Sequence, residues 1–389
     1  MRKKMPSAGP AEISGNGLIL DVAENGDGWK VSFACEPRTS PQPLWFNVVA
    51  TDLQGAPVTF IWENPDITLG SSASIGVLRP VMKADDGPWQ RCAAVHVEEH
   101  PDGRRSLRFD HAGGADRVAA AFCFPYATDE LNATLDELGD AWQRSTIGVS
   151  GEGRRLERLR LNGADEGRMG LYLMARQHSG ETPGSWVLDG ILRFLASDDP
   201  EAVEVRKAVD VWACPFVDLD GAINGDYGKD ALPWDFNRAW ETMPMRPEVQ
   251  AIQRDLQRWM DRTGPRLVID LHGPGHSTPG IYLQLPREQR PVPQREGAVE
   301  FARLLAPRFP ELDPDRVMAE TRYASRWNML STAGAWVWDY LQQTQCVSVE
   351  TSYQRLTAEP LYPDDYRDIG RRVALTAFEW LSGRSSGPQ

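Results

Sequence analysis

The chain has 389 residues, 41% apolar and 25% charged, and its 55 acidic and 42 basic side chains leave a net charge of −13. A negative surplus of that size argues against nucleic acid or an anionic membrane surface as a partner. No run approaches eighteen uninterrupted apolar residues, so no transmembrane helix is expected.

The length suggests two domains. Met1-Arg2-Lys3-Lys4 is followed by a polar, Gly-rich stretch rather than a hydrophobic one, so export is not expected and residues 1–16 read as a loose terminus. From Gly17 to Tyr126 short apolar or alternating runs recur between Gly, Pro, Asn and Asp, among them 44–49, 58–62 and 117–124. That pattern predicts an all-β sandwich over 1–127. Its histidines, His96, His100 and His111, lack partners at metal-ligand spacing and read as structural or exposed. Five dispersed cysteines without a C-x-x-C (Cys35, Cys92, Cys123, Cys214, Cys346) fit free thiols in a reducing cytoplasm.

Residues 128–389 alternate helix and strand. Helices are expected at 129–138, 185–197, 247–262 and 296–305, with a last one ending near Leu381. Strands are expected at 156–161 (an edge strand), 171–175, 208–213, 266–271 and 346–349. This predicts an α/β/α domain with a mixed, largely parallel sheet.

Chemistry-bearing residues gather at the strand ends. His178 and Glu181 lie between the strand at 171–175 and the following helix, where open α/β sheets bind ligands. Imidazole nitrogen and carboxylate oxygen are zinc donors, and a catalytic zinc takes three protein ligands and leaves one position open. His272 directly follows another continuous apolar strand and offers the third ligand. His276 competes by proximity, but Pro274-Gly275 between them suggests a pocket rim. Glu350, at the end of the last strand, is a candidate general base.

Ala175-Arg176-Gln177-His178-Ser179-Gly180-Glu181-Thr182 resembles the zinc-ligand segment "R-x-H-P-G-E-T" of zinc-dependent carboxypeptidases, in particular the cytosolic carboxypeptidase branch, with Ser179 at the Pro position. Asp270-Leu271-His272-Gly273 and Asp235-Phe236-Asn237-Arg238 are similar to two further family motifs. Trp45-Phe46-Asn47-Val48, Arg79-Pro80, Trp89-Gln90-Arg91 and Phe124-Pro125-Tyr126 resemble the β-rich domain that precedes the catalytic domain in that branch.

The resemblance implies a cytoplasmic zinc metallocarboxypeptidase that hydrolyses a C-terminal peptide or isopeptide bond. Zn2+ would be held by His178, Glu181 and His272, with Glu350 as general base toward a zinc-activated water. Asn237 and Arg238 would grip the free carboxylate of a peptide or small amide substrate, as a planar guanidinium does well. Asp235 would orient a zinc-bound imidazole. Besides Ser179, three further stretches depart from the family. Gly228 stands where the branch carries its carbonyl-polarising arginine, so the adjacent Lys229 is the candidate replacement, and Gly228→Arg is expected to restore the family side chain. Asp218-Leu219-Asp220-Gly221 replaces Asn-Pro-Asp-Gly. Ala335-Trp336-Val337-Trp338 brings no cation to the pocket floor, which gives no support for a preference for acidic C-terminal residues. A deacylase of the same fold acting on N-acyl amino acids, or a binding protein that has lost turnover, are the alternatives. The oligomeric state is left open.

Overall fold

The computed structural model describes residues 5–69, 74–163, 168–241, 243–285, 292–320 and 331–385. Two five-stranded sheets come first. One runs Ser7–Pro10, Asn47–Thr51, Val118–Ala121, Val81–Ala84, Gln90–Arg91. The other runs Leu18–Asn25, Gly28–Ala34, Val58–Trp62, Arg105–His111, His96–Glu99. Alternation in Val58–Trp62 buries Val58, Phe60 and Trp62. Phe46 joins the sheets at their core, its ring centroid 5.0 Å from Phe33, 5.1 Å from Trp62 and 6.2 Å from Phe122. Such aromatic pairs contribute about 0.5–1.5 kcal/mol each beyond area burial.

The expectation of a loose terminus fails for the described residues from Met5 onward. Ser7–Pro10 pairs antiparallel with Asn47–Thr51. Beyond it, Ser14 Oγ donates to Ala222 O at 2.5 Å, Asn16 Nδ2 to Gly225 O at 3.0 Å, and Trp45 Nε1 to Ser14 O at 2.7 Å. The physical reason is that a short polar side chain satisfies buried backbone carbonyls as readily as it meets water. Composition alone does not separate the two.

The third sheet has eight strands in the order Trp142–Val149, Arg155–Leu161, Val209–Cys214, Met169–Ala175, Arg266–His272, Thr344–Thr351, Ile281–Leu285, Met318–Glu320. The four strands from Val209–Cys214 to Thr344–Thr351 are mutually parallel, and their neighbours on either side are antiparallel. Those four are buried almost throughout because helices cover them. Arg155–Leu161 is not the edge strand expected from the sequence, since Trp142–Val149 lies outside it. Its charges have partners: Arg144 Nη2 meets Glu157 at 2.5 Å, Arg160 Nε meets Asp210 at 3.2 Å, and the Arg158 guanidinium lies 3.7 Å over the Trp212 ring.

Among the helices, Thr182–Ala196 and Pro363–Ser385 approach closely through glycine. A Cβ at Gly190 would lie 2.2 Å from Arg367 O, and one at Gly370 would lie 2.2 Å from Val187 O. Close packing there holds the helix that starts at the candidate site.

Candidate metal centre

His178, Glu181, His272 and Glu350 all fall at the carboxyl ends of the central parallel strands. His178 and Glu181 occupy the connection between Met169–Ala175 and the helix from Thr182. Arg176 shapes that connection. It adopts φ +63°, and its buried guanidinium donates to the carbonyls of Ser179 and Tyr126. Burial pushes its pKa down to about 10, so it stays charged. Glu181 then stands at the N-cap position, where the helix dipole favours a carboxylate.

The Glu181 carboxylate sits among donors. Oε1 lies 2.9 Å from His178 Nδ1 and 3.2 Å from Lys229 Nζ. Oε2 lies 2.9 Å from His272 Nδ1 and accepts from Gly273 N at 3.0 Å. Burial alone would raise its pKa, but His178, Lys229 and His272 hold it well below the usual carboxylate range. The two imidazoles are 5.1 Å apart centre to centre.

Each imidazole turns its other nitrogen to an aspartate. His178 Nε2 is 3.3 Å from Asp235 Oδ1, and His272 Nε2 is 2.8 Å from Asp270 Oδ2. Asp235 also accepts from the backbone N–H groups of Asn237 (2.7 Å) and Asp230 (2.9 Å). Burial opposes charge on both rings, yet their carboxylate neighbours raise both pKa values.

Glu350 pairs across the sheet with His272 in the parallel register. It is buried, burial raises its pKa, and its Oε2 has no hydrogen-bond partner among the described residues. Asn237 Oδ1 accepts from Ala333 N at 3.1 Å, which turns Nδ2 toward His272, 3.3 Å from Nε2. Arg238 Nη1 donates to Asn237 O at 2.7 Å, while its buried Nε has no partner among the described residues.

Lys229 reaches the cluster because the chain turns at Gly228, with φ +86°. A Cβ at Gly228 would lie 2.6 Å from both the N and Oγ of Ser179. An arginine cannot stand there without moving the His178 loop, so Gly228→Arg does not restore the family side chain as the sequence suggests. Steric closeness, invisible in the sequence, is the reason. His276 is half-buried and lies outside the cluster. Asp270, Gln177 and Arg176, to which the sequence assigns no role, all sit within the family motifs. The one available signal was an acidic residue two positions before His272, on the same side of a strand.

The donor set suits a divalent metal. Two imidazole nitrogens and a carboxylate oxygen, all buried, lie within 4.8 Å of one another, and each imidazole has a carboxylate behind it. Both Nδ1 atoms face the Glu181 carboxylate, so a proton or a cation would occupy the same space between them. A metal bound there would displace any proton on Nδ1.

Residues 128–266 match the model of the zinc carboxypeptidase family, Peptidase M14, and the resemblance to carboxypeptidases supports a peptidase of the hydrolase class. Over 373 residues it is 26% identical to human cytosolic carboxypeptidase 6, covering 89% of this chain and 72% of that protein. The Caenorhabditis elegans cytosolic carboxypeptidase 6 is 28% identical over 51% of this chain, which spans only 47% of that relative. Among solved structures, the Burkholderia cenocepacia metallo-carboxypeptidase superposes with a TM-score of 0.80 at 18% identity, over 98% of this chain and 100% of that one. The Pseudomonas aeruginosa metallo-carboxypeptidase, in complex with (2-guanidinoethylmercapto)succinic acid, gives 0.78 at 20% identity, over 96% and 100%. Both likenesses show a shared fold along nearly the whole chain. Among the described residues, no helix is long and apolar enough to cross a membrane.

Proposed function

We propose that this protein is a zinc metallocarboxypeptidase of the cytosol that removes C-terminal residues from a peptide or isopeptide. The observation that carries the reading is the buried donor set of His178, Glu181 and His272 with Glu350 Oε2, unpartnered among the described residues, across the strand pair. Bound zinc supplies a Lewis acid and lowers the pKa of water to about 7. Glu350 then accepts a proton from the attacking water at Oε2 and returns it to the leaving amine. Its raised pKa suits both halves of that exchange.

Arg238 and the Asn237 amide hold the substrate's terminal carboxylate, the first by a charged hydrogen bond and the second through Nδ2. Asp235 keeps the His178 ring in one orientation. Lys229 donates to the oxyanion as it develops, from a segment held against the His178 loop by the Gly180 N to Tyr227 O bond at 2.9 Å.

The reading is tested by offering zinc-loaded protein a panel of peptides with free C-termini alongside N-acyl amino acids, with products read by mass. Stepwise loss of single C-terminal residues is expected. Release of an acyl group from small amides with peptides untouched would replace this reading with that of a deacylase.

A further inference from the structure

His272 Nε2 approaches Asp270 Oδ2 at 2.8 Å, and the same oxygen accepts from Gln177 Nε2. Gln177 Oε1 in turn accepts from Trp240 Nε1 at 2.7 Å. All four side chains are buried. They come from three separate motifs that meet only in the fold.

The direction of every bond in this series is determined from one end. An indole N–H can only donate. The Gln177 amide must therefore turn its oxygen to Trp240 and its NH2 to Asp270. An ionised carboxylate can only accept, so the proton between Asp270 and His272 belongs to Nε2 of the ring. Nδ1 is left as the nitrogen whose lone pair is available on the Glu181 side. Asn237 Nδ2, a donor because its amide oxygen is engaged by Ala333 N, also stands 3.3 Å from Nε2; the two donors make no hydrogen bond, and the shorter 2.8 Å contact with Asp270 assigns the proton.

We propose that Asp270, oriented by Gln177 and Trp240, is a positioning residue that fixes the tautomer of His272 and strengthens Nδ1 as a donor to a divalent metal ion. The inference rests on the zinc reading above and extends it to a carboxylate, an amide and an indole that never touch the metal. Asp235 does the corresponding task at His178 by a different route, since backbone N–H groups orient it. The His272 side depends on side chains alone and is therefore the half of the site that substitution can detune without breaking the backbone.

The test is zinc affinity measured by competition with a chromophoric chelator, on the full chain. Asp270→Asn keeps the shape and removes the charge, and should bind zinc about tenfold to a hundredfold more weakly than the parent. Trp240→Phe, which removes only the fixed donor and part of the ring, should shift affinity in the same direction by less. Two-bond 1H–15N correlation of the zinc-loaded parent should show the His272 proton on Nε2, exchanging slowly with water, and Trp240→Phe and Asp270→Asn should each speed that exchange, a readout that a merely structural aspartate would not move. Parent-like affinity in Asp270→Asn, or a proton on Nδ1, overturns the proposal. If Asp270→Asn does not fold, the parent ring spectrum and the Trp240→Phe affinity decide it. Failure of the parent chain to bind zinc would instead remove the zinc reading itself.

Discussion

Glu350 stands directly opposite His272 in the parallel pairing of Arg266–His272 with Thr344–Thr351, so the candidate base and a candidate ligand are held by one strand register. A one-residue slip would turn Glu350 to the other face of the sheet. The apolar runs on both strands prevent that slip, which ties the chemistry directly to the core.

Glu350→Gln should retain metal and fold but lose turnover by ~10²–10⁴-fold, because an amide cannot accept the proton. Steady-state rates on the best peptide, with metal content measured on the same sample, check this. A variant with parental kcat would remove Glu350 from the mechanism.

Arg238→Ala should weaken substrates with a free C-terminal carboxylate far more than the corresponding amides. A charged hydrogen bond contributes roughly 1.5–3 kcal/mol, which is about tenfold to a hundredfold in kcat/KM. Equal losses on acid and amide would make the residue structural.

Lys229→Ala should lower kcat by ~10²–10³-fold while zinc binding and KM change little, if its ammonium meets the oxyanion. Gly228→Arg should not rescue it. The side chain would collide with Ser179, so that variant is expected to lose zinc as the His178 loop shifts. A Lys229→Ala enzyme with parental kcat would leave the ammonium as a partner of Glu181 only.

Asp218 gives a pH prediction. It lies buried at the start of the helix Leu219–Asn224, accepts from Gly221 N at 2.9 Å, and burial raises its pKa to about 7. Because the folded value lies above the unfolded one, the protonated form is favoured by folding. Its contribution to stability is complete below the ordinary carboxylate pKa and is lost as pH rises through about 7. A tenfold change in proton affinity between the folded and unfolded chain corresponds to ~1.4 kcal/mol. Asp218→Asn, which can still cap the helix, should therefore melt higher than the parent at pH 8 and gain little at pH 5. Parallel melting curves for the two proteins across that range would contradict this.

Much of the candidate site was legible because its residues follow predominantly apolar, buried runs. His178, Glu181, His272 and Glu350 can be read there since a strand buried on both faces must end where polar residues begin. The same logic explains what was missed. Strands such as Trp142–Val149 and Ile281–Leu285, with half-exposed alternation, carry little apolar signal, and neither was anticipated. The polar terminus from Ser7 to Asn16 looked unattached because its anchors are backbone groups of a distant segment. Gly228 read as a missing side chain, whereas its packing against Ser179 is what turns Lys229 inward. Asp270 read as part of a motif word, and only the tertiary meeting with Gln177 and Trp240 gives it a direction.

The central claim is that His178, Glu181 and His272 together hold one zinc ion. Metal analysis of protein purified without chelator, parent beside His272→Ala, tests it most directly. The parent should carry about one zinc per chain, since three protein ligands and one open position complete a tetrahedral site. His272→Ala should carry almost none. Full zinc occupancy in His272→Ala would contradict the account and move the third ligand elsewhere.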